Sequence, residues 1–186
     1  MDNNYKILNH LGKNLDKAYT MHELSKRLNI PYATFYRTIQ DMRELIIVKP
    51  VGKSKTIQIN LQNPVINAYL TIASDEEKKE YKQPIIKKIS NELNTKDSVI
   101  LFGSYAKGTY NEKSDIDLMI INGNKNISFS KYELLYKKRI NPMFVTKKEF
   151  QEMLKDKEEN VARQALKYHI ILNNPEGFWE CVLDAF

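Results

Sequence analysis

The sequence predicts an α+β protein with a helical N-terminal domain and a small mixed-sheet C-terminal domain. Two patterns carry this prediction: apolar residues recur at helical spacing over the first 45 residues, and short continuous apolar runs appear from residue 99 onward. At 186 residues and 42% hydrophobic content, the chain is long enough for two small domains with packed cores. We expect boundaries at 1–62, 63–94 (a helical connector) and 95–186.

The first 60 residues predict three helices followed by a hairpin. A first helix over residues 5–11 has an apolar stripe, and Thr20-Met21-His22-Glu23 forms a capping box that begins a second helix, ending near residue 29. A third helix is predicted over residues 32–45, with Phe35, Ile39, Met42 and Leu45 facing the core. Strands at 46–49 and 56–60 then flank a basic tip at 50–55.

This order of elements resembles a winged helix-turn-helix domain over residues 1–62. The resemblance implies that the third helix enters the major groove of double-stranded DNA and that the hairpin lies beside it on the backbone. Arg37 is the first candidate for a base or phosphate contact, and Lys53 and Lys55 are the candidates for phosphate. Further candidates on the third helix are Tyr36, Thr34 and Arg43. The alternative is a module of the same fold that only contacts proteins.

The net charge supports a nucleic-acid partner for the N-terminal part. Residues 1–63 contain ten Lys/Arg against five Asp/Glu, whereas residues 64–186 contain 19 against 18. A basic small domain joined to a nearly neutral one indicates an anionic partner for the first. DNA is favoured over RNA because a helix cannot enter the deep, narrow groove of an A-form duplex.

Residues 65–93 are predicted to be helical, with a break near Pro84. Charged residues dominate the stretch 74–84, which we interpret as a solvated face or hinge. Ile85, Ile86 and Ile89 form the inner stripe of a helix that should pack on the following sheet.

Residues 99–120, VILFGSYAKGTYNEKSDIDLMI, contain the most specific chemical pattern. The apolar run 99–102 predicts a buried strand that ends at Gly103, and the following residues can begin a helix whose free N–H groups favour a phosphate. Asp115 and Asp117 lie two apart in a second apolar run, so they share one strand face. Two carboxylates on one face suit Mg²⁺ bound to a polyphosphate.

Gly103-Ser104, ten further residues and then Asp115-Ile116-Asp117 resemble the signature of the DNA polymerase β nucleotidyltransferase superfamily, and most closely its minimal nucleotidyltransferases. The resemblance covers about residues 85–150. It implies that Gly103 and Ser104 bind the phosphates of a nucleoside triphosphate (NTP) and that the two aspartates hold Mg²⁺. We also expect Lys107 to add positive charge near the phosphates. A nucleoside monophosphate would pass to an acceptor hydroxyl, which in the minimal family can belong to a protein such as a toxin partner.

The third carboxylate of that superfamily pattern is missing. Its expected position, on a strand over residues 140–145, is Asn141, which offers an oxygen ligand but cannot take a proton. Glu133 is the alternative source of a carboxylate. Two functions therefore stay open: a Mg²⁺-dependent nucleotidyltransferase with a DNA-binding domain, or a DNA-binding transcriptional regulator that binds nucleotide without turnover.

The remaining features favour a cytoplasmic protein without a membrane partner. No window approaches 18 uninterrupted apolar residues, and the N-terminus does not resemble a signal peptide. Cys181 and the three histidines are too scattered for a disulfide or zinc site and are assigned structural roles. Residues 147–157 and 158–172 are predicted to be helices, and a last helix begins at Asn174. Its apolar residues either join the core or form a homodimer patch; they are Phe178, Trp179, Val182, Leu183 and Phe186.

Overall fold

The computed structural model describes residues 1–122 and 127–186, and the chain divides into two compact units, Met1–Glu76 and Glu77–Phe186. Each unit has its own sheet, of three and four strands, so the α+β prediction is confirmed. Within the described residues, no helix combines the length and the apolar character that crossing a membrane requires.

The first unit contains a three-stranded antiparallel sheet in the order β1-β3-β2. Its elements in chain order are α1 (Asn3–Gly12), β1 (Tyr19–Thr20), α2 (Met21–Arg27), α3 (Tyr32–Asp41), β2 (Ile46–Val51), β3 (Ser54–Ile59) and α4 (Ile66–Glu80), the last of which continues into the second unit. The Thr20 hydroxyl accepts a hydrogen bond from the backbone N–H of Glu23, as expected at the start of α2. Side chains from the helices and the sheet form one core, in which the most buried are Ile7, Leu8, Leu24, Phe35, Ile39 and Ile57.

Three local predictions in this unit are corrected. Helix α3 ends at Asp41 and not at residue 45, because the chain turns at Met42, whose carbonyl accepts from both Leu45 and Ile46. The turn keeps Met42 and Leu45 buried, so the apolar spacing continues past the end of the helix. The hairpin tip is only two residues, Gly52-Lys53, and the short strand β1 was not predicted.

The second unit contains a four-stranded sheet in the order β6-β5-β4-β7, in which β5 and β6 are parallel and the other pairs are antiparallel. Its remaining elements are α5 (Pro84–Glu92), β4 (Ser98–Phe102), α6 (Gly103–Lys107), β5 (Ile116–Ile121), α7 (Ser130–Tyr136), β6 (Ile140–Val145), α8 (Lys147–Lys155), α9 (Val161–Lys167), β7 (Ile170–Asn173) and α10 (Pro175–Leu183). Strand β7 replaces the end of the helix predicted over 158–172. Because this strand has only four residues and is buried at Ile170, Ile171 and Leu172, it has no polar alternation to mark it as a strand.

Helix α5 packs on this sheet through Ile85, Ile86 and Ile89, as its apolar stripe predicted. It therefore belongs to the core of the second unit, although the sequence placed it in the connector. Asn174 caps the N-terminus of helix α10, and its side chain accepts from the N–H of Gly177. A core role is observed for three of its apolar residues, which are fully buried within the chain: Phe178, Trp179 and Val182.

Candidate nucleotide and metal site

The turn between β4 and α6 requires glycine for two reasons. Gly103 has φ +68°, a left-handed conformation that side-chain-bearing residues rarely adopt. A Cβ added to Gly103 would also lie 2.3 Å from Oδ2 of Asp117. Backbone and carboxylate thus approach more closely here than any other residue type allows.

Strand β5 positions the two aspartates next to this turn. Ile116, Leu118 and Ile120 are fully buried, as predicted for the opposite strand face, whereas Asp115 and Asp117 are half-buried. Asp117 pairs with Phe102, the residue immediately before Gly103, in the antiparallel register of β4 and β5. The Gly103-Ser104 turn and the Asp-x-Asp pair therefore meet at one place, although 10 residues separate them in the sequence.

Asn141 lies between the two carboxylates. It pairs with Asp117 in the parallel register of β5 and β6. Its Nδ2 donates to Oδ2 of Asp115 at 3.2 Å and to Oδ1 of Asp117 at 3.3 Å. The structure thus brings together the two aspartates and the residue that the sequence placed at the third position.

The donor set at this point fits a divalent cation. Asp115 and Asp117 offer carboxylate oxygens and Asn141 offers an amide oxygen, which are hard ligands of the kind Mg²⁺ prefers. In residues 1–122 and 127–186, no group of three or more His, Cys, Asp or Glu side chains is placed to hold a metal ion. Asn141, which contacts both carboxylates, would be a neutral third ligand.

Glu133 has a different role from the one considered for it. Its Oε1 accepts the backbone N–H of Ile140 at 2.8 Å, which fixes the beginning of β6. The carboxylate of Glu133 therefore holds the strand that carries Asn141, and the alternative in which it joins Asp115 and Asp117 is not observed.

Lys107 is at the far end of α6, and its side chain is exposed. Its Nζ lies 5.1 Å from the centre of the Tyr168 ring, a cation–π contact. The structure therefore directs this ammonium group toward the connection between α9 and β7, and a contact with phosphate stays a prediction.

A group of tyrosines that the sequence analysis missed supports α6. The Tyr81 hydroxyl donates to the backbone carbonyl of Tyr105 at 2.9 Å. The rings of Tyr105 and Tyr110 stack with centres 4.3 Å apart, and Gln83 donates to the Tyr110 hydroxyl. Burial, followed by the charges of Tyr110 and Asp115, raises the pKa of Tyr105 above its usual value.

Hydrogen bonds also hold the loop between α6 and β5. The Asn111 side chain accepts from the N–H of Lys113, and the Ser114 hydroxyl accepts from the N–H of Asn111. From the other side, Lys138 donates to the carbonyl of Glu112. The approach to Asp115 is thus fixed from within the loop and by the residues that precede β6.

In the first unit, the structure groups some of the predicted DNA-contacting residues. Thr34, Tyr36 and Arg37 are exposed on α3. Tyr36 lines a cavity of about 260 Å³ together with Lys53 and Lys55 of the hairpin. We call this cavity the helix–hairpin groove; its other lining residues are Thr20, Met21, His22, Tyr32 and Ser54.

Arg43 does not line the helix–hairpin groove. It follows the end of α3 and lines a second cavity of about 370 Å³, with neighbours that include Asn4 and Tyr69. His22, which the sequence analysis treated as structural, is exposed and its ring lies 5.9 Å from that of Tyr32 in the groove. The other histidines fit a structural role better, since His169 is fully buried and His10 is half-buried.

Comparison with known proteins identifies the family. The chain belongs to the nucleotidyltransferase domain family, whose model matches residues 84–179, just over half of the chain. A protein of Methanocaldococcus jannaschii, named "Putative protein adenylyltransferase", is 49% identical over 43 residues, which is 23% of this chain and 40% of that protein. The chain thus matches about two fifths of the length of this curated relative. No solved structure matches the chain significantly.

Proposed function

We propose that this protein is a Mg²⁺-dependent nucleotidyltransferase that moves an adenylyl group from ATP to the hydroxyl of a protein acceptor. The observation that carries the proposal is the meeting of Asp115, Asp117 and Asn141 beside the Gly103-Ser104 turn in a member of this family. The choice of the adenylyl group and of a protein acceptor is supported by the name of the archaeal relative.

The proposed roles follow from the chemistry of each group. Gly103 and Ser104 bind the triphosphate at the start of α6, and Asp115 and Asp117 hold the metal, with the Asn141 oxygen as a third ligand. When bound, Mg²⁺ supplies neutralisation of the phosphate charge. Most of the catalysis is therefore positioning and electrostatic stabilisation.

The transfer balances as a single displacement at the α-phosphorus. The acceptor oxygen forms a bond to that phosphorus, and the bond from phosphorus to the bridging oxygen breaks, so that pyrophosphate leaves with the electron pair. Asn141 cannot take the hydroxyl proton. The proton passes to Asp115, to Asp117 or to water.

The test is labelling of protein by α-labelled triphosphates. The full chain is incubated with each of the four NTPs and Mg²⁺, with and without a lysate as the source of acceptor, and pyrophosphate release is followed in parallel. We expect ATP to label protein, and Asp115→Asn or Asp117→Asn to reduce labelling by roughly 100-fold or more. Asp41→Asn, which changes an exposed aspartate of the first unit, is the matched control. If both site variants still label protein as wild type does, Asp115 and Asp117 are not required for the transfer.

A second function is favoured by one observation, the neutral Asn141 bonded to both carboxylates. In this alternative the domain binds the metal–nucleotide without turnover and the chain acts as a nucleotide-sensing regulator. Calorimetric binding of ATP with Mg²⁺, together with the absence of pyrophosphate release in the presence of acceptor, distinguishes this alternative from the enzyme.

We also propose that the first unit is a winged helix-turn-helix domain that binds double-stranded DNA. Support comes from the order of three helices and a hairpin, from the excess positive charge of residues 1–63, and from the helix–hairpin groove with Tyr36, Lys53 and Lys55. Binding through phosphates releases counterions, so affinity should fall steeply with salt. A salt titration on random-sequence duplex DNA tests this, and affinity that hardly changes with salt would contradict it.

A further inference from the structure

Asn141 occupies the space between two carboxylates that would otherwise repel each other. Its Nδ2 donates to two acceptors, Oδ2 of Asp115 at 3.2 Å and Oδ1 of Asp117 at 3.3 Å. Hydrogen bonds to ionised carboxylates are stronger than neutral ones, so the shared donor offsets part of the repulsion. The neutral amide thus places positive partial charge between the two carboxylates.

This arrangement competes with a metal ion. The N–H groups carry positive partial charge and point at the oxygens that a cation held by Asp115 and Asp117 would need. A half-turn of the carboxamide exchanges Nδ2 for Oδ1, and the competitor becomes an oxygen ligand. An ionised aspartate at this position would offer only oxygen ligands and no N–H donor. A leucine would offer neither a donor nor a ligand.

The surrounding structure confines the change to the side chain. Glu133 holds the N–H of Ile140 at the start of β6, and the parallel register fixes Asn141 opposite Asp117. Pro142, the next residue, is tolerated because β6 is at the edge of the sheet. With the backbone fixed on both counts, rotation of the amide is the simplest way to admit a cation.

We propose that Asn141 is a two-state partner of this carboxylate pair and controls metal entry. In one state its nitrogen bridges Asp115 and Asp117, as in the structure, and in the other its oxygen faces the metal ion that accompanies the nucleotide. The inference rests on the proposed function for the identity of the ligands, a metal ion and a nucleotide. It adds that an uncharged residue, Asn141, regulates metal binding at that site.

The first test compares Asn141→Asp and Asn141→Leu with the wild-type chain. In EDTA both variants should melt at a lower temperature, because both lose the bridging donor. In calorimetric titration with MnCl₂, Asn141→Asp should bind about tenfold more tightly than wild type, and Asn141→Leu about tenfold more weakly. Asn91→Asp adds the same charge at an exposed position and should match wild type. Unchanged Mn²⁺ affinity in Asn141→Asp would overturn the inference.

The second test needs no folded variant at position 141. In wild-type protein carrying ¹⁵N-labelled asparagine, the side-chain amide signals of Asn141 should shift on saturation with Mg²⁺ and a non-hydrolysable ATP analogue. Signals that stay fixed while metal and nucleotide bind would overturn the proposal and leave the nucleotidyltransferase function standing. If neither wild type nor Asn141→Asp binds Mn²⁺, both the inference and the metal part of the proposed function fail.

Discussion

The Asp117 carboxylate lies where a side chain on Gly103 would be: a methyl group on the glycine would lie 2.3 Å from the carboxylate oxygen Oδ2. The proposed phosphate-binding turn and the proposed metal ligand are therefore in direct contact. A change in one of them must displace the other.

Gly103→Ala should abolish most nucleotidyl transfer, because the new Cβ pushes the Asp117 side chain away. Gly108→Ala is a matched control, since Gly108 has φ +71° but a Cβ there meets nothing within 4 Å. Both variants should lose about 1–2 kcal/mol in urea unfolding from left-handed strain. Only Gly103→Ala should lose transfer, and equal losses in both would show that strain alone is responsible.

Removing the Tyr81 hydroxyl should loosen α6. Tyr81→Phe deletes the donor to the Tyr105 carbonyl, at a cost of about 1 kcal/mol in stability. We expect nucleotide affinity to fall several-fold, because the Gly103-Ser104 turn is the first turn of the same helix. Tyr69→Phe, at an exposed tyrosine of α4, serves as control. Nucleotide affinity is measured by calorimetry. If it is the same for both variants, the Tyr81 hydroxyl does not support nucleotide binding.

The helix–hairpin groove predicts a contrast among basic residues in DNA binding. Lys53→Ala and Lys55→Ala should each weaken binding on any sequence and reduce the salt slope by about 1. Arg43→Ala should have little effect, because Arg43 lines a different cavity from Tyr36 and the two lysines. Fluorescence anisotropy at several salt concentrations measures both quantities, and a larger loss for Arg43→Ala would place DNA on another face.

His10 should make the first unit acid-sensitive. Its Nε2 is buried with no hydrogen-bond partner in the described part of the chain, and burial, followed by the charge of Arg27, lowers its pKa from 6.5 to about 4. Between these values the unfolded chain binds a proton that the folded chain does not, so stability decreases as pH falls from 6.5 to about 4 and then levels off.

The measurement is urea unfolding followed by far-UV circular dichroism at pH 7 and pH 4.5. His10→Phe should lose less stability than wild type over this range, since the proton linkage is gone. His22→Phe, at an exposed histidine, should decline as wild type does. If His10→Phe loses as much stability between pH 7 and pH 4.5 as wild type does, the acid sensitivity comes from other groups.

The sequence predicted the region around β4, α6 and β5 because several local signals coincide there. A buried apolar run, a glycine and an alternating Asp/Ile pattern each indicate the same arrangement. Strand β7 has no comparable set of local signals. It is short, and it shows no polar alternation because Ile170, Ile171 and Leu172 are all buried. Its place in the sheet depends on pairing with β4, about 70 residues earlier, which no local pattern records.

Two sources predicted the composition of the candidate site. Strand periodicity indicated that Asp115 and Asp117 share a face, and the resemblance to the nucleotidyltransferase superfamily indicated Asn141 as the third position. It could not show that Asn141 donates to both carboxylates, because this depends on the parallel register of β5 and β6. Arg43 was grouped with Tyr36 because the apolar spacing of α3 continues through the turn that ends the helix.

Phe102, Asp117 and Asn141 form a row of register partners across three adjacent strands. A one-residue slip of β5 would turn Asp117 toward the core, so the register of β5 decides whether the carboxylate faces the site. The connection from β5 to β6 contains α7, and Glu133 on this helix accepts the N–H of Ile140 at the start of β6. A change in α7 that moves the Glu133 carboxylate would therefore shift the row at Asn141, although α7 itself contributes no residue to the row.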